Sequence, residues 1–402
     1  MMIKKLALVY KKDARPLRFL SALVLSGIAY GLYKGVQDNY LIEALGVTPF
    51  ERGFIEFLRE IPGLLVVLIL AAMYRLAEQR VFKIGTAVML AGLVGLLLVR
   101  AEKPLVVVCV ILFSFGEHII MPVKSTISLD LAEKGRGGAS LGISSTISNL
   151  GNIAGYLIVS LVFFLFARAG FERTNLVQFR MIFALASALM LGAVLVSFAM
   201  QETSIDIKRR RFYFAKKFYT YYMLEVFYGA RKQVFFTFAP MVLIREYGAA
   251  TSLIATLLAL AAVFGMVFSP IVGRLIDKLG YKVIMVGDTL ILIVVCFLYG
   301  FSHRIFPMHI AFIVVCVNYI LDSILTLGSM ATNVYVQSIS DNQQEITATL
   351  STGISLNHVI SIFIALVGGL IWNKAGIELL FSISALLGLI NSLYAASIKQ
   401  SR

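Results

Sequence analysis

The chain has 402 residues, of which 59% are hydrophobic and only 14% are charged, and its mean hydropathy is +0.88. A soluble globular domain carries about 25% charged residues, so this composition is incompatible with an ordinary soluble enzyme and predicts an all-α integral membrane protein. The formal charge of +14 is typical of the basic cytoplasmic loops of such proteins, and we expect no nucleic-acid partner.

Apolar runs separated by charged residues, glycine or proline predict twelve membrane-spanning helices. Twelve spans leave about 33 residues for each helix with its loop, so no sizeable soluble domain fits beside them. The predicted spans, numbered 1 to 12 in chain order, are 17–41, 50–77, 81–100, 104–131, 138–167, 177–200, 217–244, 250–276, 281–302, 307–337, 346–373 and 377–398.

Basic residues are distributed unequally between the two sets of loops. With the amino terminus inside, 22 lysines and arginines fall in cytoplasmic segments and 8 in outer loops. Because cytoplasmic loops carry the excess of Lys and Arg, we predict that both termini are cytoplasmic. We expect a multi-pass protein of the plasma (cytoplasmic) membrane, surrounded by lipids and monomeric.

The most polar connection, residues 201–216, follows six predicted spans and precedes six more. The pattern Y-G-x-x-K-x-V occurs at 30–36 in span 1 and again at 228–234 in span 7, an offset of 198 residues. Such an offset between matching spans predicts a parallel repeat. We therefore predict an amino-terminal six-helix half at 1–200, a cytoplasmic linker at 201–216 and a carboxy-terminal six-helix half at 217–402.

The loop between spans 8 and 9 carries a charged signature. Residues 273–282, GRLIDKLGYK, resemble the loop motif of the major facilitator superfamily, roughly G-x-L-a-D-[RK]-x-G-[RK]-[RK], and residues 74–83, YRLAEQRVFK, resemble an eroded first copy. The resemblance covers nearly the whole chain and implies two six-helix pseudo-repeat halves that work by alternating access. It also implies a gating motif that latches cytoplasmic helix ends, formed by Glu78, Gly273, Asp277, Lys278 and Gly280.

Two features depart from the family pattern. Leu112 stands where the family frequently has an arginine in span 4, so we expect no proton coupling through that position. Gly142, Gly151 and Gly155 reproduce the spacing of the family's antiporter motif, but Tyr156 stands where its proline belongs. Since close helix packing also explains these glycines, they favour export only weakly.

Charged residues inside the predicted spans lie mainly in spans 1, 2, 4, 7 and 10. A charge in the bilayer core costs at least ~2.5 kcal/mol, so each such group should face a cavity or a partner. Spans 1, 4, 7 and 10 line the central cavity in the family resembled. Because burial favours the neutral acid, we predict proton coupling through Glu117 first and Asp322 second, with Glu60 and Glu225 as further candidates.

Lys34 and Lys232 occupy equivalent positions of the repeated pattern and are predicted to clamp an anionic group, one from each half. In the alternative interpretation, each lysine only neutralises a nearby acid, Asp38 or Glu225. The two histidines inside spans 4 and 11, His118 and His358, are interpreted as packed side chains. The candidate substrate-binding residues are Tyr30, Lys34, Lys124, Tyr228, Arg231, Lys232 and Asn318.

We predict a secondary active transporter that moves a small polar solute, anionic or zwitterionic, in a proton-coupled manner. The alternatives are a proton/drug or amphiphile antiporter, a lipid translocator and, from another class, a membrane-embedded enzyme. Glu56 and Glu60 resemble the paired carboxylates of sodium-coupled sugar symporters, although Arg59 lies between them. The sequence has neither a nucleotide-binding loop nor metal-ligand spacing, so no enzymatic activity, cofactor or metal is expected.

Overall fold

The computed structural model of the protein describes residues 9–73, 76–202 and 214–398. This part of the chain is built of helices and their connections, with one isolated bridge between Tyr10 and Ala132. The predicted all-α fold is confirmed.

Twelve α-helices are numbered here in chain order within the described residues, and two of them continue into helical turns of another kind. The first is extended by a π-helical turn at Tyr40–Ala44, and a 3-10 turn at Thr326–Gly328 joins α10 to α11. Their bounds are α1 Arg15–Asn39, α2 Pro49–Ala72, α3 Glu78–Leu98, α4 Lys103–Leu131, α5 Gly137–Arg168, α6 Leu176–Phe198, α7 Tyr219–Arg245, α8 Thr251–Leu279, α9 Tyr281–Ile305, α10 Met308–Leu325, α11 Ser329–Ile339 and α12 Gln343–Ser397.

Among the described residues, nine stretches are long and apolar enough to cross a membrane. One of them, Ala348–Ser397 in α12, is 50 residues long, whereas about 20 residues suffice for one crossing. Gly376 interrupts this helix with a φ of 86°, a backbone conformation that favours glycine. The protein is therefore a multi-pass membrane protein, and the number of twelve spans stays a prediction.

The first of two compact units comprises Met1–Gly46, Leu65–Lys208 and Ala250–Ala259. In it, α1 packs against α5 and α6, and α3 packs against α4 and α6. Helices α1 and α5 approach closely, because a Cβ atom on Gly155 would lie only 2.4 Å from the carbonyl oxygen of Ile28. Gly151 is similarly close to α1, whereas a Cβ on Gly142 would meet no atom within 4 Å. Helix packing thus accounts for two of the three glycines that resemble the antiporter motif.

The second unit comprises Val47–Leu64, Arg209–Ala249 and Leu260–Arg402. In it, α12 packs against α7 and α9, and α9 packs against α10 and α11. The predicted linker at 201–216 lies largely outside the described residues.

Each unit contains a lysine–aspartate ion pair whose lysine lies shortly before a long helix. Lys11 lies 3.6 Å from Asp130 in the first unit, and Lys217 lies 2.7 Å from Asp341 in the second. The two lysines are 206 residues apart, close to the offset of the repeated sequence pattern. Asp341 and Glu345 hold the pKa of Lys217 above its ordinary value, because both carboxylates bind its ammonium group.

Candidate functional site

A polar cavity of about 260 Å³ lies within the first unit. Glu117 and Lys124 of α4 line it together with Tyr30 of α1, so three of the predicted site residues come together. Glu117 and Lys124 are seven residues apart, which places both on one face of the helix. The other lining residues are Leu23, Ser26, Gly27, Met89, Ile120, Met121, Ser148 and Asn152.

The lining of this cavity combines opposite charges with neutral polar groups. Glu117 and Lys124 are both half-buried, and Asn152 of α5 adds an amide. Tyr30 stacks on Phe113 with ring centroids 6.2 Å apart, which fixes one wall. Sites for small molecules are concave and carry a few convergent polar groups, and this cavity has those properties. Its charged lining residues are one acid, Glu117, and one base, Lys124.

Arg231 lies between two acids in the second unit. Its side chain is 1% exposed, and its guanidinium nitrogens lie 3.6 Å from Asp322 of α10 and 4.0 Å from Asp288 of α9. The guanidinium carbon also lies 4.9 Å from the ring centroid of Tyr228. Arg231 therefore lies between internal acids that it can neutralise, and its predicted contact with substrate stays a prediction.

Lys232 is exposed, although the neighbouring Arg231 is buried, because successive residues of a helix point about 100° apart. Glu60 and Glu225 are the acids whose charges act on Lys232. Glu225 is buried and accepts hydrogen bonds from Thr332 and Asn357, both at 3.4 Å. Substrate binding by Lys232 and its pairing with Glu225 both remain open interpretations.

Lys34 belongs to the first unit, and its ammonium nitrogen lies 5.9 Å from the ring centroid of Tyr33. Asp38 follows one helical turn later on α1. Since Lys34 and Lys232 belong to different units, the clamp that they are predicted to form stays a prediction.

Asn318 and Asp322 lie one turn apart on α10 in the second unit. Asn318 is 2% exposed, and its Nδ2 has no hydrogen-bond partner among the described residues. This buried donor lies on an apolar helix, close to the pair of Arg231 and Asp322. The role of Asn318 in substrate binding stays a prediction.

A buried ionic network joins the first half of α2 to α12 in the second unit. Glu56 accepts hydrogen bonds from Arg52 at 2.8 Å and from Arg59 at 3.0 Å. Arg59 also contacts Glu60 at 2.5 Å, and His358 of α12 lies 2.9 Å from the second oxygen of Glu60. Because both carboxylates are bound by arginine, the arrangement disfavours a sodium site at Glu56 and Glu60.

The sequence interpretation missed two partners in these networks. His358 was interpreted as a packed side chain, but it contacts the proton-coupling candidate Glu60. Asp288 lies on span 9, which is not among the spans expected to line the central cavity, yet it faces Arg231. An intramembrane acid on an otherwise apolar span was the available signal for Asp288. Glu60, the partner of His358, lies 298 residues away along the chain, and helical periodicity does not predict contacts between residues so far apart.

The loop motif forms a tight turn between α8 and α9. Gly280 has a φ of 84°, whereas Asp277 and Lys278 are exposed at the end of α8, and no ion pair of Asp277 occurs within the described ranges. In the eroded first copy, Glu78 is buried in the first turn of α3. The predicted gating role of these residues and of Gly273 stays a prediction.

The eroded copy of the motif has an acidic partner elsewhere in the first unit. Arg80 and Lys83 at the start of α3 lie 2.7 Å and 3.1 Å from Glu202, which follows α6. Hydrogen bonds from these two cations hold the pKa of Glu202 below its ordinary value. The basic residues of the eroded copy are thus paired with an acid that comes from another part of the chain.

Comparison with known proteins identifies the fold and the family. Residues 19–356 match the profile of the Major Facilitator Superfamily. No curated protein matches the chain.

Solved structures with the same fold are distant in sequence. The nucleoside transporter NupG has a TM-score of 0.74 at 14% identity, with 95% of this chain and 98% of that chain covered. The peptide transporter POT in complex with sulfate has a TM-score of 0.72 at 13% identity, with 97% of each chain covered. A bacterial homolog of the human lysosomal transporter Spinster, inward-facing and unoccupied, has a TM-score of 0.70 at 12% identity, with 96% and 97% covered. At these identities the likeness is one of fold.

Proposed function

The chain belongs to the major facilitator superfamily, and on that premise we propose that it is a proton-coupled secondary transporter of a small zwitterionic or anionic metabolite. Membership supports secondary transport by alternating access. The nature of the solute and of the driving ion rests on the charged residues described above.

The observation that carries the proposal is the pair Glu117 and Lys124 on one wall of the 260 Å³ cavity. A buried charge is stable only when an opposite charge or a set of hydrogen bonds compensates it, so this cavity selects a solute with charges of its own. Tyr30 and Asn152 supply further polar contacts within the same cavity. A small amphoteric solute satisfies both charges at once.

Glu117 is the preferred proton carrier of the four candidate acids. Glu60 contacts Arg59 and Asp322 lies beside Arg231, so a permanent cation stabilises the ionised form of each. Glu225 accepts hydrogen bonds from neutral donors at 3.4 Å, and we propose it as the second candidate in place of Asp322, which the sequence ranks second. Glu117 alone of the four lines the same cavity as Lys124. Protonation of Glu117 would change the charge that the solute meets, which links the two binding events.

A complementary role is proposed for Lys34 and Lys232. If each lysine binds an anionic group, Lys34→Gln and Lys232→Gln each weaken binding of an anionic solute by roughly 10- to 150-fold, typical of a charged hydrogen bond. If each lysine only pairs with an acid, stability falls instead and is restored by also neutralising Asp38 or Glu225. Normal affinity in both single variants would remove the clamp.

The proposed location is the plasma membrane, with both termini and the 201–216 linker cytoplasmic. The support is the unequal distribution of basic residues between the loops. A cysteine placed at residue 206 should resist an impermeant thiol reagent applied to sealed cells. Labelling from outside would reverse the proposed orientation.

A binding screen tests the proposed substrate class. Purified protein is heated with amino acids, dipeptides, monoanionic metabolites and lipophilic cations at two pH values, and the melting temperature is recorded. We expect stabilisation by zwitterionic or anionic compounds, which Lys124→Gln reduces at least about tenfold in apparent affinity. Lys134→Gln is the matched control, because Lys134 is exposed between α4 and α5 of the same unit and does not line the cavity.

The alternative of amphiphile export predicts a different result in the same screen. If lipophilic cations alone stabilise the protein, and Lys124→Gln leaves this effect unchanged, the proposed substrate would be a drug-like compound and not a polar metabolite. The helix contacts of Gly151 and Gly155 weaken this alternative, because the glycines that suggested it have a packing role.

A further inference from the structure

A second, much smaller cavity lies in the second unit, away from the polar cavity of α4. It has a volume of about 10 Å³, which is room for one water-sized particle. Oxygen-bearing side chains from four helices converge on it. The polar lining residues are Tyr228, Asp288, Ser329, Thr332 and Asn391. The remaining lining residues are Leu224, Met285 and Gly328.

Two of these oxygens are buried and have no hydrogen-bond partner among the described residues. Asn391 is 8% exposed, and its Oδ1 accepts no hydrogen bond from that part of the chain. The same holds for Oδ1 of Asp288, whose other oxygen faces Arg231. Buried polar atoms are nearly always satisfied, so two such oxygens at one cavity indicate a bound positive or hydrogen-donating particle.

The hydroxyl groups around the cavity also present lone pairs. Ser329 donates its hydrogen to the carbonyl oxygen of Thr326 at 2.8 Å, and Thr332 donates to the carbonyl oxygen of Ser329 at 2.7 Å. Tyr228 donates to the carbonyl oxygen of Thr326 at 3.3 Å. Because these hydrogens are engaged elsewhere, the hydroxyl oxygens remain as acceptors. A water molecule donates to at most two acceptors, whereas a hard cation is bound by several oxygen acceptors at once.

The local charge balance favours a monovalent cation. With all three groups ionised, Arg231 offsets only one of Asp288 and Asp322, which leaves a net charge of −1 in a buried region. One monovalent cation would neutralise the remaining charge, while a divalent ion would leave an excess of positive charge.

We propose that this cavity binds a sodium ion, with oxygen atoms of Asp288, Asn391, Tyr228, Ser329 and Thr332 as ligands. Five side-chain oxygens are fewer ligands than the larger potassium ion prefers, which favours sodium. The turn at Gly328 holds one wall tightly, because a Cβ atom there would lie 2.3 Å from a carboxylate oxygen of Asp288. Since binding needs no solute and no gradient, this proposal stands apart from the proposed proton coupling through Glu117.

Sodium binding is measured directly on the purified full-length protein. Radioactive ²²Na⁺ is bound at constant ionic strength, with potassium, lithium or choline chloride as competitors, and the melting temperature is followed in the same salts. We expect saturable binding of one ion per chain and a melting temperature that rises with sodium but not with potassium or choline. No saturable binding, with equal melting temperatures in all salts, would overturn the proposal.

Substitutions locate the site. Asn391→Leu removes a ligand oxygen at similar volume and should weaken sodium binding by at least tenfold, while Asn391→Asp keeps an oxygen and should retain it. Ser384→Ala is the control for sodium binding, because Ser384 is buried on the same helix as Asn391 but does not line this cavity. If Asn391→Leu does not fold, Ser329→Ala takes its place with the same expected loss. Undiminished sodium binding in the folded variant would show that the ion binds elsewhere and would refute this site.

Discussion

Substitution of Arg231 distinguishes an internal charge partner from a substrate-binding residue. In Arg231→Met, Asp288 and Asp322 both lose the guanidinium group that lies within 4.0 Å of each of them. Removal of one partner from a buried ion pair costs about 3–5 kcal/mol, because the remaining charge is uncompensated. The contacts of 3.6 and 4.0 Å are longer than good charged hydrogen bonds, so we expect a loss near the lower end, about 3 kcal/mol.

The free energy of unfolding is followed in detergent by the fluorescence of Trp372, the single tryptophan of the chain. It is buried in the second unit, 5.9 Å from the ring of Phe238, and so reports on the unit that contains Arg231. The double variant Arg231→Met with Asp322→Asn removes one of the orphaned carboxylates and should recover about 1–2 kcal/mol.

A surface arginine supplies the control. Arg304 is 67% exposed and lies 2.5 Å from Glu378 at the end of α9, so Arg304→Met should cost less than about 1 kcal/mol. The internal role of Arg231 would be refuted if the free energy of unfolding of Arg231→Met lay within about 1 kcal/mol of the native value while solute binding was lost.

Three further predictions concern packing, gating and pH. Gly155→Leu should destabilise the protein by about 1–3 kcal/mol, because the leucine side chain meets the backbone of α1. In the same unfolding assay, Gly142→Leu should be nearly neutral. Asp277→Asn should lower the transport rate without lowering the amount of protein in the membrane, and undiminished transport would show that the loop motif is dispensable. The lowered pKa of Glu202 means that its contacts with Arg80 stabilise the fold at neutral pH and lose this effect as the pH falls through the lowered value. Proteolysis near residue 202 should accordingly increase on strong acidification, and Glu202→Gln should be cleaved readily at every pH.

Helical periodicity alone places Glu117, Met121 and Lys124 on one face of α4, because their spacings are four and three residues. In the structure all three line the polar cavity. The geometry of one helix fixes their relative directions, whereas their role at the site stays a prediction. The all-α fold and the family could be predicted for a similar reason, since hydropathy and the loop motif are local properties of the sequence.

Pairs of residues from distant helices were not predictable in the same way. Asp288 and Arg231 lie on α9 and α7, and nothing in either sequence segment specifies that these faces meet. The contact between His358 and Glu60 depends on how the start of α2 packs against α12. Asn391 carries no charge and lies on an apolar helix, so only the cavity and its unpartnered oxygen distinguish it. Tertiary packing, which decides these contacts, is not encoded in the spacing along one helix.

Solute accumulation in sealed proteoliposomes tests the central claim most directly. Purified protein is reconstituted, an inward proton gradient is imposed, and uptake of the best solute from the binding screen is compared between the native protein and Glu117→Gln. We predict that the native protein accumulates the solute above its external concentration, and that Glu117→Gln only equilibrates it across the membrane. Accumulation by Glu117→Gln with an unchanged pH dependence, or conversion of the solute to a product without movement, would contradict the account.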